Sequence, residues 1–554
     1  MKRTKRLILT FCSLLAFGPL AARPAGEVRL VVQIVVGSMR PDDLTRYADR
    51  FGTEGFRRLQ REGITYTRAS YDCQQTLTVT SLATLTTGCM PSTHGVVTPA
   101  WYDYVENRRV LLIEDPSVEG LEYHTGGGNF SPVHLVAPAV SESLVRYSPE
   151  SRVVTVALEP ESAVVMGGRA GMTFWMNDEL CHWRSSSCYL PLLPEWVKRY
   201  NREKTPQSFI MPSWSALYDT PSYHNDRRSD ILLRQPVQPG LGGLVSKLRP
   251  KKDPATVKNI PCDVVYRREY DRLIYTPAGN AAVFNFAKTA MAQLDLGKDT
   301  APDLLNICLD APRRIVEAYG PESIEAEDMY YRLDQELADF LTFVYAQVPQ
   351  GAVAVVLTSD HGTSDSYDAA PREQERFNVP QFRMILESFL DARYGKEESD
   401  WVLDCENKMI YLNHNLIYSK HLSLAEMQNE VATFAMQFRG VSHALSATAM
   451  RTSYFGRGYA EKMQNSFYPR RSGDVILNLM PGWIEVAERV RSASGSMYGY
   501  DTRVPLIVSV PGVAGGRTDD GAVEMGRVAP TVAQLLGVPA PSAADTMPLP
   551  LTAE

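Results

Sequence analysis

The sequence predicts an α/β fold: a mostly parallel central sheet with helices on both faces, plus cap insertions. Three observations predict it. Apolar, largely β-branched runs recur at residues 28–36, 153–158 and 353–358, and runs of that kind are strands buried on both faces. Stretches with apolar residues at helical spacing lie between them, and strand–helix alternation is the pattern of a parallel, two-sided sheet. The third run ends abruptly in Ser359-Asp360-His361-Gly362, at a strand end of the kind where open α/β sheets keep their ligand sites.

The elements follow in chain order. Lys2, Arg3, Lys5 and Arg6 precede an apolar stretch at 7–20 and the small pair Ala21-Ala22, which together read as an export signal over residues 1–22. Residues 27–170 form the first part of the core. Its first strand is broken by Gly37-Ser38, and a helical stretch at 42–62 carries Phe51, Phe56 and Leu59 at near-helical spacing. A polar, Thr-rich loop at 72–80 leads into a helix that starts at 82–85 and ends at Thr87-Gly88. A turn and strand at 102–113, a helix at 139–146 and the strand at 153–158 complete this part.

From 171 to 271 the pattern loosens into aromatic clusters, prolines and the Lys-rich turn at 249–254, a cap insertion. Residues 272–380 return to the core with a helix at 280–294 and a strand at 304–309. A long amphipathic helix at 323–344, with Glu325, Glu327, Asp328 and Asp334 facing outward, leads to the Asp-His strand. Residues 381–480 form a small α/β insertion with a helix at 424–438. The closing part of the core, 481–554, holds a strand at 504–508 and a short helix at 529–537.

The balance of 44% hydrophobic and 22% charged residues is that of an ordinary globular protein. A net charge of −7, with no basic stripe, excludes a nucleic-acid partner. The apolar stretch of the leader is too short for a membrane span, so no stable span remains once it is cleaved. Export to the periplasm or beyond permits disulfides. Cys181 and Cys188 flank what looks like a hairpin tip and are expected to pair; Cys73, Cys89, Cys262, Cys308 and Cys405 show no CxxC or zinc-ribbon spacing. Gly126-Gly127-Gly128 lacks the Lys-Ser/Thr of a phosphate-binding loop, and His94 reads as a structural histidine.

Asp360 and His361 are both good ligands for a zinc-like cation. Other motifs give them a context. Val35-Val36-Gly37-Ser38, Ala83-Thr84-Leu85-Thr86-Thr87-Gly88, Pro91-Ser92-Thr93-His94-Gly95, Trp101-Tyr102-Asp103, Gly320-Pro321-Glu322, Thr358-Ser359-Asp360-His361-Gly362, Ser472-Gly473-Asp474-Val475 and Tyr500-Asp501-Thr502-Arg503-Val504-Pro505 fall in one order. Together they resemble the PafA-type alkaline phosphatases, near relatives of the nucleotide pyrophosphatase/phosphodiesterases, over nearly all of the chain after the leader.

That resemblance implies an alkaline phosphatase-like fold. It also implies a pair of zinc ions holding a phosphoryl group between an attacking hydroxyl and a leaving oxygen. Carried over residue by residue, the nucleophile falls on Thr78, with Thr76 and Thr80 a slip of two away, and one Asp-His ligand pair falls on Asp360 and His361. Elsewhere the chain departs from the family. Gly37 stands where the family has a first-strand Asp, Arg313 and Glu317 where it has Asp-x-x-x-His, and Arg503 where it has a late His. Asp310 lies three residues ahead of Arg313 as an alternative register. Ala100, or Pro99 with a slip of one, replaces a phosphate-binding Asn, and Glu159-Pro160-Glu161 replaces Lys-x-Arg.

These departures have physical weight. Arginine cannot deprotonate to become a ligand, whereas Glu317 is able to bind a metal. Carboxylates at Glu159 and Glu161 would repel a phosphate, and Thr78, with no metal and no apparent base, is a weak nucleophile. Arg313 or Arg503 is expected to pair with Asp360 and Glu317 and so balance the pocket's charge. The expectation is an exported protein of the alkaline phosphatase superfamily with a degenerate bimetal site. It would hold no cofactor and act by binding or assembly with a ligand or protein partner. The alternative is a zinc-dependent phosphomonoesterase or phosphodiesterase with Thr78 as nucleophile.

Overall fold

The computed structural model describes residues 28–122, 127–177, 180–210, 214–225, 259–260, 269–366, 376–485 and 490–551. The leader at 1–22, Cys262 and the turn at 249–254 lie outside them.

Nine strands form the central sheet: β1 (Leu30–Val36), β2 (Ile64–Ser70), β3 (Val153–Val156), β4 (Met172–Asn177), β5 (His182–Arg184), β6 (Asp303–Leu309), β7 (Val353–Thr358), β8 (Arg503–Ser509) and β9 (Arg517–Glu524). Their order is β9-β2-β8-β7-β1-β6-β3-β4-β5. The central run from β7 to β4 is parallel, while β8 and β5 run antiparallel to their neighbours. The prediction of a mostly parallel sheet holds because β1 and β7 are buried at every position, as strands covered on both faces must be. Leu30, Val32, Ile34 and Val36 point to one core, shared with Phe284, Phe340 and Leu341. Val31 and Val35 point to the other, shared with Val79, Ala163 and Val532.

The helices that matter for the site are α1 (Thr78–Thr87), α2 (Pro160–Gly167), α3 (Ala278–Gln293), α4 (Ala311–Tyr319) and α5 (Ile324–Gln347). A separate four-stranded sheet, ordered Val402–Glu406, Met409–Leu412, Val475–Leu479 and Val441–Ser446, carries its own apolar cluster. No helix among the described residues is long and apolar enough to cross a membrane.

Several expectations are corrected here. The stretch at 42–62 is two short helices, Asp43–Arg46 and Phe56–Glu62, with an intervening 3-10 turn. Asp334 breaks it by taking the Gly52 and Phe56 N–H groups on its two carboxylate oxygens, at 2.6 and 2.8 Å.

Glu325, Glu327, Asp328 and Asp334 do not face outward; all four are buried. Burial is tolerable because these carboxylates collect donors. Glu327 accepts from His224 N, Asn225 N and Tyr331 Oη at 2.6–2.9 Å, and Asp328 from Trp214 Nε1, Leu217 N and Arg332 Nε at 2.7 Å.

Residues 172–184, expected in a cap, extend the central sheet as β4 and β5. For the same reason Cys181 and Cys188 are not bridged to each other. The residues between them are not a hairpin tip but include an extended edge strand paired to β4, which carries the two thiols apart.

Candidate functional site

The register of the sheet assembles the site. β1 and β7 are adjacent and parallel, so Gly37-Ser38 and Ser359-Asp360-His361 leave the sheet side by side. Ser38 sits in the left-handed region at φ 58°, a strained conformation for a residue with a Cβ. Its N–H reaches Asp360 Oδ1 at 2.9 Å, and the N–H of His361 reaches the same oxygen at 2.8 Å. Asp360 Oδ2 accepts the Thr78 hydroxyl at 2.8 Å. His361 Nδ1 lies 2.7 Å from the Gly362 carbonyl oxygen. A carbonyl only accepts, so Nδ1 carries the proton and the Nε2 lone pair is turned outward. Nε2 stands 3.2 Å from Thr78 Oγ1 and 3.3 Å from Ser494 Oγ.

Thr78 is therefore not in a loop but is the first residue of α1, with its hydroxyl at the helix mouth. The sequence suggested a later start because threonine is a poor helix former. Burial overrides that here, and Thr84 and Thr87 return their hydroxyls to the carbonyls of Thr80 and Ala83. The alternatives to Thr78 point elsewhere: Thr76 donates to Ser496 O and Thr80 to Val97 O. The expectation that Thr78 has no base nearby is corrected, since Asp360 and His361 are both within hydrogen-bond reach.

The other positions gather around a different cluster. Arg313, on the first turn of α4, donates through Nη2 to Glu159 and through Nη1 to Glu317 Oε1 at 3.1 Å. Arg314 donates Nε to Glu159 Oε1 at 2.7 Å and Nη1 to Glu317 Oε2 at 3.3 Å. Burial alone would push the Glu159 carboxyl up, but the two guanidiniums hold it below its ordinary value. Glu159 is thus neutralised rather than repelling, while burial and Glu159 push the Glu161 carboxyl up. Asp310 accepts from Leu158 N and Glu159 N, both at 2.9 Å, and from Ser162 Oγ at 2.6 Å; burial pushes it to about 7.

Arg313 and Arg503 do not pair with Asp360 as expected. Asp360 is satisfied by neutral donors, Arg313 by Glu159 and Glu317, and Arg503 is exposed at the start of β8. Ala100 is buried where it opens a hairpin strand and presents only a methyl group.

Gly37 is a packing position. A Cβ there would stand 2.9 Å from Arg313 Cβ and 3.0 Å from Leu309 O. α4 approaches the end of β1 too closely for any side chain.

Two further residues of the site had no role assigned from the sequence, although Asp501 lies within the Tyr500–Pro505 motif. Ser494 lies in a Ser-Gly-Ser loop that has no periodicity to read. Asp501 is buried, takes Ser496 N on Oδ2 at 2.8 Å, and is pushed up to about 6 by that burial. His94 is a buried, hydrogen-bonded histidine away from Asp360 and His361 in the hydrogen-bond network. Its Nδ1 accepts Val96 N at 3.1 Å, its Nε2 lies 3.1 Å from Thr84 Oγ1, and burial with Arg471 nearby drops it to about 3.

These residues do not fit a two-zinc centre. Among the described residues no group of three or more His, Cys, Asp or Glu is arranged to hold a metal. Asp360 and His361 stand together, while Arg313 is paired with Glu159 and Glu317 and Arg503 is exposed, and neither arginine is able to act as a ligand.

Comparison with known proteins is consistent across nearly the whole chain. The "calcium-transporting ATPase" of Myroides odoratus is 26% identical over 97% of this chain and 96% of its own length. Alkaline phosphatase PafA of Elizabethkingia meningoseptica is 26% identical over 97% of each chain. The crystal structure of wild-type PafA superposes with a TM-score of 0.83 at 24% identity, covering 94% of this chain and 98% of that one. The model of the type I phosphodiesterase / nucleotide pyrophosphatase family matches residues 31–501. The chain belongs to that family, within the alkaline phosphatase superfamily.

Proposed function

We propose that this family member is an exported, non-catalytic protein that acts by binding or assembly on a phosphatase scaffold. The observation that carries the reading is the isolation of Asp360 and His361. Both Asp360 oxygens already accept protein donors, and no third metal-ligating side chain joins the pair among the described residues. Thr78 has Asp360 and His361 beside it but no third metal-ligating side chain among the described residues to complete the two-metal site that the family resemblance implies, which supports the non-catalytic reading. Export is supported by the basic and apolar leader at 1–22.

The test is metal content and turnover of the purified full-length protein. Well under one zinc per chain, and no hydrolysis of a nitrophenyl phosphomonoester or diester above a Thr78→Ala control with zinc added, is the expected outcome. Two zinc ions per chain with Thr78-dependent turnover would overturn it.

One observation favours a second reading, hydrolysis of a phosphoester with Thr78 as nucleophile. Thr78 Oγ1 lies 2.8 Å from Asp360 and 3.2 Å from His361, the contacts a nucleophile needs. A zinc ion bound there would supply Lewis acidity. Under this reading the Thr78→Ala change abolishes a turnover that is measurable in the native protein.

A further inference from the structure

We infer that Arg313 is a built-in cation. Its guanidinium ties α4 to the head of α2, and the folded state is independent of divalent metal because of it.

The argument starts from placement. Arg313 and Arg314 lie at the head of α4, Glu317 one turn on, and Glu159 at the cap of α2. One face of the Arg313 guanidinium spans the gap between Glu159 and Glu317, with one nitrogen on each carboxylate. Arg314 closes the outer side by contacting the other oxygen of each glutamate. Each carboxylate is therefore held by both arginines, and two positive charges face two negative ones.

Arg313 is 9% exposed, and its Nε is buried with no hydrogen-bond partner. A group that leaves one donor unused is held by its charge and its shape more than by complete hydrogen bonding. Asp310 stands behind the pair, kept in place by two backbone N–H groups and Ser162.

Removing Arg313 would leave Glu159 and Glu317 facing a guanidinium-sized space, with only the outer Arg314 to offset them. With the guanidinium gone, the two carboxylates lack the positive charge that lay between them, which a small cation with oxygen ligands could supply after modest side-chain movement. Breaking a buried ion pair on one side strands the other charge, which is among the costlier single changes.

The experiment is thermal unfolding of the full-length protein and its Arg313→Ala and Arg313→Lys variants, in EDTA and in millimolar calcium or zinc. The native midpoint is expected to agree within about 1 °C in all three solutions. That of Arg313→Ala is expected to fall by about 3–4 °C in EDTA, and to recover in part with either cation. If Arg313→Ala does not fold, Arg313→Lys carries the test. A single ammonium cannot span both glutamates, so its midpoint falls, whereas an unchanged lysine midpoint overturns the inference. It is also overturned if EDTA lowers the native midpoint and cation restores it, or if Arg313→Ala melts with the native protein. These readouts do not involve turnover, so this inference and the non-catalytic reading fail separately.

Discussion

Gly37 shows how one residue can carry the logic of a site. The family resemblance aligns it with a first-strand Asp, and its glycine is required by packing against Arg313 and Leu309. Restoring the acid with Gly37→Asp alone is expected to overpack this junction at a cost of about 1–3 kcal/mol. Denaturant unfolding measures the loss, and a variant as stable as the native protein would contradict the packing argument.

Asp43 makes a second residue-scale prediction. It is buried and pushed up to about 6, first by burial and then by Asp42, from an ordinary value of about 3.9. The folded state therefore binds more protons than the unfolded one between those values. Stability falls as pH rises across that window, by up to about 3 kcal/mol for this group alone. Asp43→Asn keeps an acceptor for Arg40 N and is expected to flatten that slope, which denaturation at pH 4 and pH 6.5 will show.

At the scale of elements, α5 is where sequence and structure diverged most. Its acidic residues have the spacing of a solvated face, and nothing along the helix itself says otherwise. Besides Tyr331 and Arg332 on the helix itself, the partners that cover those acids come from segments far away in the chain: 214–225 for Glu327 and Asp328, and 52–56 for Asp334. Hydrophobic periodicity reports which residues share a face, but not which distant loop will cover it. Asp334→Ala is expected to cost about 1–3 kcal/mol for each stranded N–H group. It should also speed hydrogen exchange at Gly52 and Phe56, and unaltered exchange at those two amides would refute the role given to Asp334.

The start of α1 was misplaced for a related reason. Local propensity argued against a threonine-rich helix, and tertiary burial outweighed it. By contrast, β1, β6 and β7 were legible because a fully buried parallel strand needs an unbroken apolar run. Even there Gln33 is an exception whose meaning lies in the pairing. It stands opposite Asn306, which stands opposite Thr155, and amide and hydroxyl bond across the three strands at 2.8 and 3.1 Å.

For the whole molecule, the scaffold and the Asp360-His361 corner could be read from motifs because strand ends and glycine turns recur with fixed chemistry. The Arg–Glu cluster could not, since it depends on how closely α4 approaches β1 and α2. The sequence placed Arg313, Glu317 and Glu159 at positions aligned with family motifs; that they meet Arg314 in one charge-balanced cluster is visible only in the structure.

The interlock of Gly37 with Arg313 also limits which sequences can be reached from this one. An acid at 37 meets the Cβ of residue 313 and the Leu309 carbonyl oxygen, which stay in place under any non-glycine side chain at 313, and Arg313 cannot be lost without leaving Glu159 and Glu317 to Arg314 alone. A first step at 37 or at 313 is therefore expected to lose stability, whereas Arg503, exposed at the start of β8, stands outside this interlock. Selection for zinc-dependent phosphatase activity from this chain is expected to stall at single substitutions of 37 or 313, because each lowers stability before any ligand is gained. In that sense the fold is a one-way valve, open to drift around the site and closed to a stepwise return.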